Sequence, residues 1–313
     1  MPEHSKKISL IIPAFNEEAC IPELVKRLKD VFLIEAQYIF EVYIIENGST
    51  DDTWDILKDV AKEDKRFKVV RLSRNFRMDG GLTAGLEFVS GDACVLMTAD
   101  LQDPPEVIHQ FIRKWEQGFE NVYGVVTKRG GTSPLRRLNS QIFYWLANLL
   151  TDGSIPRNVS DFRLVDKKVY LAIRQMRERN RFVRGLISWV GFKSVGIPME
   201  REQRFAGQSK AHTLKVLDLA FKGIFAHSYK PLKTITFFGL FLSFTSFVSI
   251  FPLSYMWFFS GVPFAGFGTL VSLLLMLIAF LFLTLGVIGE YIGLIYEEVK
   301  ERPNYIVSET LNI

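Results

Sequence analysis

Along the first 127 residues, short apolar runs alternate with stretches whose apolar positions recur every three or four residues. Runs at 8–12, 42–45, 68–72, 93–97 and 122–126 read as strands. Several are apolar on both faces, as strands covered by helices on either side must be. Helical patterns fall between them, near 17–33, 52–64, 80–90 and 105–117. Ser49-Thr50-Asp51-Asp52 supplies N-cap residues, and Pro104-Pro105 suits a first helical turn. The alternation predicts an α/β layer fold with a mostly parallel central sheet. The pattern changes near the C-terminus, where residues 234–289 contain no Asp, Glu, Lys or Arg. Two apolar runs, about 233–259 and 266–289, are each long enough to cross about 30 Å of hydrocarbon at about 1.5 Å per residue. A helix pair buried in a soluble core would carry a polar stripe, and these carry none. They predict a two-helix transmembrane hairpin.

Charge sharpens this division. The 313 residues are 48% apolar and 23% charged, which excludes a disordered chain and allows a full-sized core. The net charge of +4 conceals segregation: 1–127 carry −7, 128–233 carry +14 and 290–313 carry −3. Lys222, Lys230 and Lys233 precede the first apolar run, and Lys300 and Arg302 follow the second. By the Lys/Arg bias, both flanks of the hairpin face the cytoplasm. The expected organisation is a cytoplasmic domain over 1–229, two membrane helices within 230–292 and a cytoplasmic tail over 293–313. That is an integral membrane protein with two spans and both termini in the cytoplasm. The N-terminal residues show no signal-peptide apolar core. Cys20 and Cys94 lack metal-ligand spacing and read as free thiols in a reducing compartment.

Chemistry concentrates at the strand ends. The first strand runs into Pro13-Ala14-Phe15-Asn16-Glu17, the second into Glu46-Asn47-Gly48-Ser49-Thr50-Asp51. The fourth runs into Ala99-Asp100-Leu101-Gln102-Asp103-Pro104-Pro105-Glu106. In parallel α/β sheets, ligands sit outside the carboxyl ends of the strands. Carboxylates and an amide oxygen lining one edge suit a hard divalent cation, Mg²⁺ or Mn²⁺, bridging phosphates. The Gly-x-Gly-x-x-Gly fingerprint and the Gly-x-x-x-x-Gly-Lys-Ser/Thr loop are both missing, which argues against a nicotinamide enzyme or a nucleoside triphosphatase.

Taken in order, these motifs resemble a family. They continue with Arg74-Asn75-Phe76, Ser160-Asp161-Phe162-Arg163-Leu164, Arg181-Phe182-Val183-Arg184-Gly185 and Gly207-Gln208-Ser209-Lys210, then the hairpin and Gly289-Glu290-Tyr291-Ile292-Gly293. The set resembles the family 2 glycosyltransferases of GT-A fold, and within them the membrane-anchored polyprenyl-phosphate (dolichol-phosphate mannosyltransferase-like) subfamily. The resemblance implies transfer of a hexose-type sugar from a nucleotide-diphosphate-sugar donor to a polyprenyl phosphate, with inversion at the anomeric carbon. It implies Asp161 as the catalytic carboxylate. It places the donor nucleotide on Pro13, Phe15, Asn16, Glu17, Glu46, Gly48, Ser49 and Asp79, and a Mg²⁺ or Mn²⁺ ion on Asp100 and Gln102. The acceptor phosphate falls to Arg129, Arg136, Ser140, Arg204, Ser209 and Lys210. Three departures stand out. Glu46-Asn47-Gly48-Ser49 replaces the family's Asp-Asp-Gly-Ser, Arg77-Met78-Asp79 replaces Gly-Lys-Glu, and Thr98-Ala99-Asp100 replaces Asp-Ala-Asp. The last removes one carboxylate from the metal site and should weaken metal affinity.

The basic section fits a membrane surface. Stretches 135–150 and 211–229 are amphipathic with basic polar faces, a pattern shared by interface helices and by helices packed on a sheet. Attraction to anionic headgroups accounts for the charge, and with no nucleic-acid-binding motif a nucleic-acid partner is not expected. Gly289 and Gly293 have the spacing of a close helix contact, which would permit a homo-oligomer. Two alternatives stay open at this stage. One is a non-catalytic membrane scaffold, motivated by Asn47 and Thr98. The other is a processive polysaccharide synthase, whose Gln-x-x-Arg-Trp motif is interrupted here as Gln110-Phe111-Ile112-Arg113-Lys114-Trp115.

Overall fold

The structure is a computed structural model that describes residues 5–129, 159–179, 181–202, 205, 230–260 and 267–313. Its first unit is built on one eight-stranded sheet in the order β7-β5-β6-β4-β1-β2-β3-β8. The strands are β1 (Lys7–Ala14), β2 (Ile39–Glu46), β3 (Phe67–Leu72), β4 (Ala93–Leu96), β5 (Asn121–Arg129), β6 (Val159–Asp166), β7 (Ser194–Arg201) and β8 (Val307–Leu311). The pairs β1–β2, β1–β4, β2–β3 and β5–β7 are parallel. β6 runs antiparallel between β4 and β5, and β8 runs antiparallel along β3.

Helices cover both faces, which is why the central strands are apolar throughout. On one face α1 (Ile21–Ile34), α2 (Thr53–Glu63) and α4 (Ile108–Glu116) pack on Ile8, Leu10 and Ile12 of β1. On the other, α3 (Arg77–Phe88), α5 (Lys167–Gln175) and α6 (Val183–Trp189) pack on Ile11, Tyr43 and Ile45. The five strands and four helices expected before residue 127 are all present, with boundaries moved by a few residues. Cys20 and Cys94 are buried free thiols.

The segment read as a tail contains a strand. Val307-Ser308-Glu309-Thr310-Leu311 has an exposed Ser-Glu-Thr centre between two partly buried apolar ends, as a short edge strand can. Its ends are tied: Ser73 N–H donates to the Ile306 carbonyl at 2.9 Å. Asn312 Nδ2 donates to the carbonyls of Ala61 at 2.6 Å and Phe67 at 2.9 Å.

The second unit contains α7 (Lys230–Ser260) and α8 (Phe267–Val299). They meet at Phe238 and Phe280, ring centroids 5.5 Å apart. Both expose large apolar side chains, Phe237, Phe244, Phe282 and Leu283 among them. Among the described residues, Met276–Val299 is the segment long and apolar enough to cross a membrane by length and composition. The stretches 135–150 and 211–229 lie outside the described residues, as do Arg136, Ser140, Arg204, Ser209 and Lys210.

Candidate active site

The loops after β1 and β2 are stitched by side chains that also appear in the motifs. Asn16 adopts a left-handed backbone (φ 55°), which Asn tolerates better than most residues. Its N–H donates to Ser49 Oγ at 3.0 Å, its Oδ1 accepts the Thr50 N–H at 2.8 Å, and its Nδ2 donates to Thr50 Oγ1 at 3.2 Å. Glu17 N–H donates to Thr53 Oγ1 at 2.9 Å. Gly48 turns the chain with φ 68°, directly against the backbone of Arg74.

Glu46 and Asn47 brace this wall from beneath. Glu46 is fully buried; its Oε1 accepts the Ser49 N–H, and its Oε2 accepts Arg71 Nε at 3.1 Å. The Arg71 guanidinium in turn stacks over Trp54, 4.7 Å from the ring centre. Asn47 Oδ1 accepts the Phe76 N–H and its Nδ2 donates to the Arg77 carbonyl, both at 2.8 Å. A carboxylate at position 47 could accept but not donate, so the departure from Asp matches a job that needs both functions. Pro13 lies against Gly81 of α3, and Phe15 is half-buried beside the same loops.

At the end of β4, Thr98 Oγ1 donates to Asp100 Oδ1 at 2.7 Å. The hydroxyl thus occupies a carboxylate oxygen that an additional Asp would instead repel. Gln102 is held by its backbone, whose carbonyl accepts the Glu202 N–H at 2.9 Å. Asp103, fully buried, anchors the loop to β6 and β7. Its Oδ2 accepts Ser160 Oγ at 2.8 Å, and Arg201 Nε lies 3.3 Å from its Oδ1. Burial raises the Asp103 carboxyl above its ordinary range, and the Arg201 charge opposes this. Arg27 forks onto Glu106 and reaches Glu202, closing the far side of the loop.

Asp161, the third residue of β6, keeps about a third of its side chain exposed (32%). Arg184 of α6 grips it: Nε to Oδ1 at 2.7 Å and a second guanidinium nitrogen to Oδ2 at 2.5 Å. Burial pushes the Asp161 carboxyl up, but Arg184, Arg163 and Arg201 together pull it below the usual range. It is therefore a fixed anion near neutral pH and a weak base. Arg163 is buried beneath it, donating to the Ser160 carbonyl at 3.1 Å, with its pKa lowered to about 10 by burial. Asp79, in the first turn of α3, accepts the Val183 N–H at 3.0 Å. Burial and the Asp161 charge raise it to about 6. Asp100 and Asp161 both act electrostatically on Asp103, which places the loop after β4 beside the start of β6.

The model of glycosyl transferase family 2 matches residues 9–174, more than half of the chain. The chain belongs to that family. A bactoprenol glucosyl transferase from Shigella flexneri, derived from prophage SfII, is 38% identical over 97% of this chain and 98% of its own length. An uncharacterised glycosyltransferase of Bacillus subtilis, YkcC, is 40% identical over 97% of this chain and 94% of its own. A glucosyl-3-phosphoglycerate synthase from Mycobacterium tuberculosis, crystallised with Mn²⁺ and UDP, overlaps 71% of this chain and 78% of that one, with TM-score 0.47 and 18% identity. By its family the protein is a glycosyltransferase, built on an α/β fold with a mostly parallel central sheet.

For a family 2 glycosyltransferase, the described site is read unevenly by sequence. Asp100 and Gln102 lie in the loop after β4, and Asp161 lies near the start of the neighbouring strand β6. Glu46 is fully buried beneath the loops that follow β1 and β2. Asp79 turns its acceptor toward α6. Arg129 closes β5 opposite Arg201 in the β5–β7 register. Sequence reasoning gave no role to Arg184, Asp103, Arg201 or Arg71. Arg184 was within reach, because Arg181-Phe182-Val183-Arg184-Gly185 belongs to the motif series; what it lacked was a partner, which only the fold supplies.

Proposed function

We propose that this glycosyltransferase moves a hexose-type sugar from a nucleotide-diphosphate donor onto a polyprenyl phosphate at the cytoplasmic membrane face. The observation that carries the reading is the near end-to-end similarity to bactoprenol glucosyl transferases, hydrophobic C-terminal segment included. The product is a polyprenyl-phosphate-linked sugar with the inverted anomer. An acceptor phosphate oxygen forms the new bond to the anomeric carbon as the bond to the donor's diphosphate breaks on the opposite face. A phosphate monoester has a second pKa of about 6, so it is largely deprotonated at neutral pH and a strong base is superfluous. That suits Asp161, whose carboxylate is held ionised by Arg184. As a fixed anion it stabilises positive charge developing at the anomeric carbon, while Arg184 offsets its repulsion of the incoming phosphate.

Asp100 and Gln102 offer a carboxylate and an amide oxygen, a hard donor set that fits Mg²⁺ or Mn²⁺ only when the donor's phosphates complete it. Among the described residues no cluster of three His, Cys, Asp or Glu gathers. The ion, when bound, neutralises the departing nucleotide diphosphate. Arg129, Arg136, Ser140, Arg204, Ser209 and Lys210 are assigned to the acceptor phosphate.

Two spans are supported by connectivity. β8 pairs with β3 in the catalytic sheet, so residues 307–311 lie on the same side of any membrane as the catalytic unit. A chain that leaves that unit and returns to it crosses an even number of times, so a span at Met276–Val299 calls for a second, which this reading gives to α7. Purified protein in nanodiscs, given undecaprenyl phosphate and labelled UDP- and GDP-sugars beginning with UDP-glucose, tests the reading. Label should enter the lipid fraction from one donor, and the anomer of the product should be inverted. Label that remains water-soluble with every donor contradicts it.

A further inference from the structure

Asp79 sits in the donor-side motif, yet its placed contact points elsewhere. It occupies the first turn of α3, and its Oδ1 accepts the N–H of Val183, 104 residues away. Val183 opens α6, a helix of seven residues, and the residue before it, Phe182, makes no side-chain cap. The first N–H groups of a helix have no partner within it. So short a helix has little stability of its own, and Asp79 supplies an acceptor that α6 does not. The next residue is Arg184, whose fork holds both oxygens of Asp161. Val183, Leu186 and Ile187 are buried in the core on this face, which seats α6, and the Val183 N–H bond adds a directional tie to the backbone of its first turn. At neutral pH Asp79 is an anion, and an ionised acceptor bonds an N–H more strongly than a neutral one.

We propose that Asp79 is a positioning residue for the catalytic carboxylate: through the Val183 N–H it fixes the first turn of α6, and through Arg184 it fixes Asp161. This rests on the proposed role of Asp161. It separates two functions that adjacent motifs would otherwise share, because the donor wall is built by Asn16, Gly48 and Ser49, whereas Asp79 acts on the acceptor side of the reacting carbon.

The test compares Asp79→Ala and Asp79→Asn in the full-length protein in nanodiscs, with two readouts. The first is hydrogen exchange of the amides in 181–189. The second is the split between kcat and donor KM. The Ala variant should exchange at least about fivefold faster in 181–189. It should lose about tenfold to a hundredfold in kcat, the cost of a misplaced catalytic group, with donor KM changed by less than about twofold. The Asn variant keeps an oxygen at the same place and should recover most of both. A donor KM raised about tenfold with kcat retained would make Asp79 a donor contact and overturn the proposal. Unchanged exchange together with unchanged kcat would overturn it too. Should the Ala variant fail to fold, Val183→Pro deletes the same bond from the donor's end at a position where proline suits a helix, and the same outcomes apply. A parent protein that transfers no sugar refutes the proposed function, and the exchange readout alone then decides this proposal.

Discussion

Replacing Gly48 with Ala probes the donor wall where its geometry is tightest. Gly48 has φ 68°, and a Cβ there would lie 2.8 Å from both the Cα and the carbonyl carbon of Arg74. Two costs add. An L-residue in the left-handed region costs about 1–2 kcal/mol, and overpacking against neighbours that cannot yield costs about 1–3 kcal/mol more. The contacted atoms are backbone, so relief requires moving the β3–α3 connection, which Asn47 holds through Phe76 and Arg77. The expected loss is about 2–5 kcal/mol, or roughly 5–15 °C in the unfolding midpoint of the catalytic unit. Gly118→Ala is the control: its φ is 86°, but nothing lies within 4 Å of the added carbon, so it carries the strain alone. Thermal unfolding by intrinsic fluorescence at one scan rate compares the two, with nucleotide affinity measured alongside. Gly48→Ala should unfold clearly below Gly118→Ala and bind nucleotide more weakly. Equal midpoints, or a nucleotide affinity that does not move, would refute the claim that this contact shapes the donor wall.

Other consequences concern charge. The Asp79 carboxyl titrates near 6 in the fold against an ordinary 3.8, so the folded state holds its proton more tightly than the unfolded chain. Its ionisation then costs stability as pH rises from about 4 to 6, to a ceiling of about 3 kcal/mol above that. Asp79→Asn should therefore unfold at higher temperature than the parent at pH 8, with the gap about halved at pH 5; a gap that widens on acidification contradicts this sign. Thr98→Asp replaces a hydroxyl that donates to Asp100 with a second carboxylate. Without metal that pair should destabilise the loop by about 1–2 kcal/mol, and Mn²⁺ with UDP should raise the midpoint of the variant more than that of the parent. Equal Mn²⁺ shifts in the two proteins would show that position 98 does not face the ion.

The layered core was legible because burial on two faces leaves a mark on composition: β1 and β2 are apolar nearly throughout, and the helices between them keep a three-to-four-residue period. β8 was not, because a five-residue edge strand with a Ser-Glu-Thr centre has the composition of a tail and owes its existence to the exposed edge of β3. The site divides in the same way. The placement of Asp161, Asp100 and Gln102 beside strand ends could be read from the sequence, since strand pattern and motif order are local signals. The roles of Asn47, Arg184 and Asp103 could not, because each depends on a partner brought from 23 to 98 residues away, such as Phe76, Asp161 or Arg201. Asn47 shows how a departure from a family pattern can mislead: the lost carboxylate suggested lost function, while the amide supplies the donor that the Arg77 carbonyl requires.

The account turns on Asp161 as the carboxylate at the reacting carbon. The most direct measurement is sugar transfer to undecaprenyl phosphate by the parent and by Asp161→Asn, each in nanodiscs, with nucleotide-donor affinity determined on the same preparations. The account predicts a kcat at least about a hundredfold lower in the variant, with donor affinity close to that of the parent and a folded protein whose unfolding midpoint is lowered by the loss of the Arg184 pair. Transfer at the parental rate by folded Asp161→Asn would contradict it.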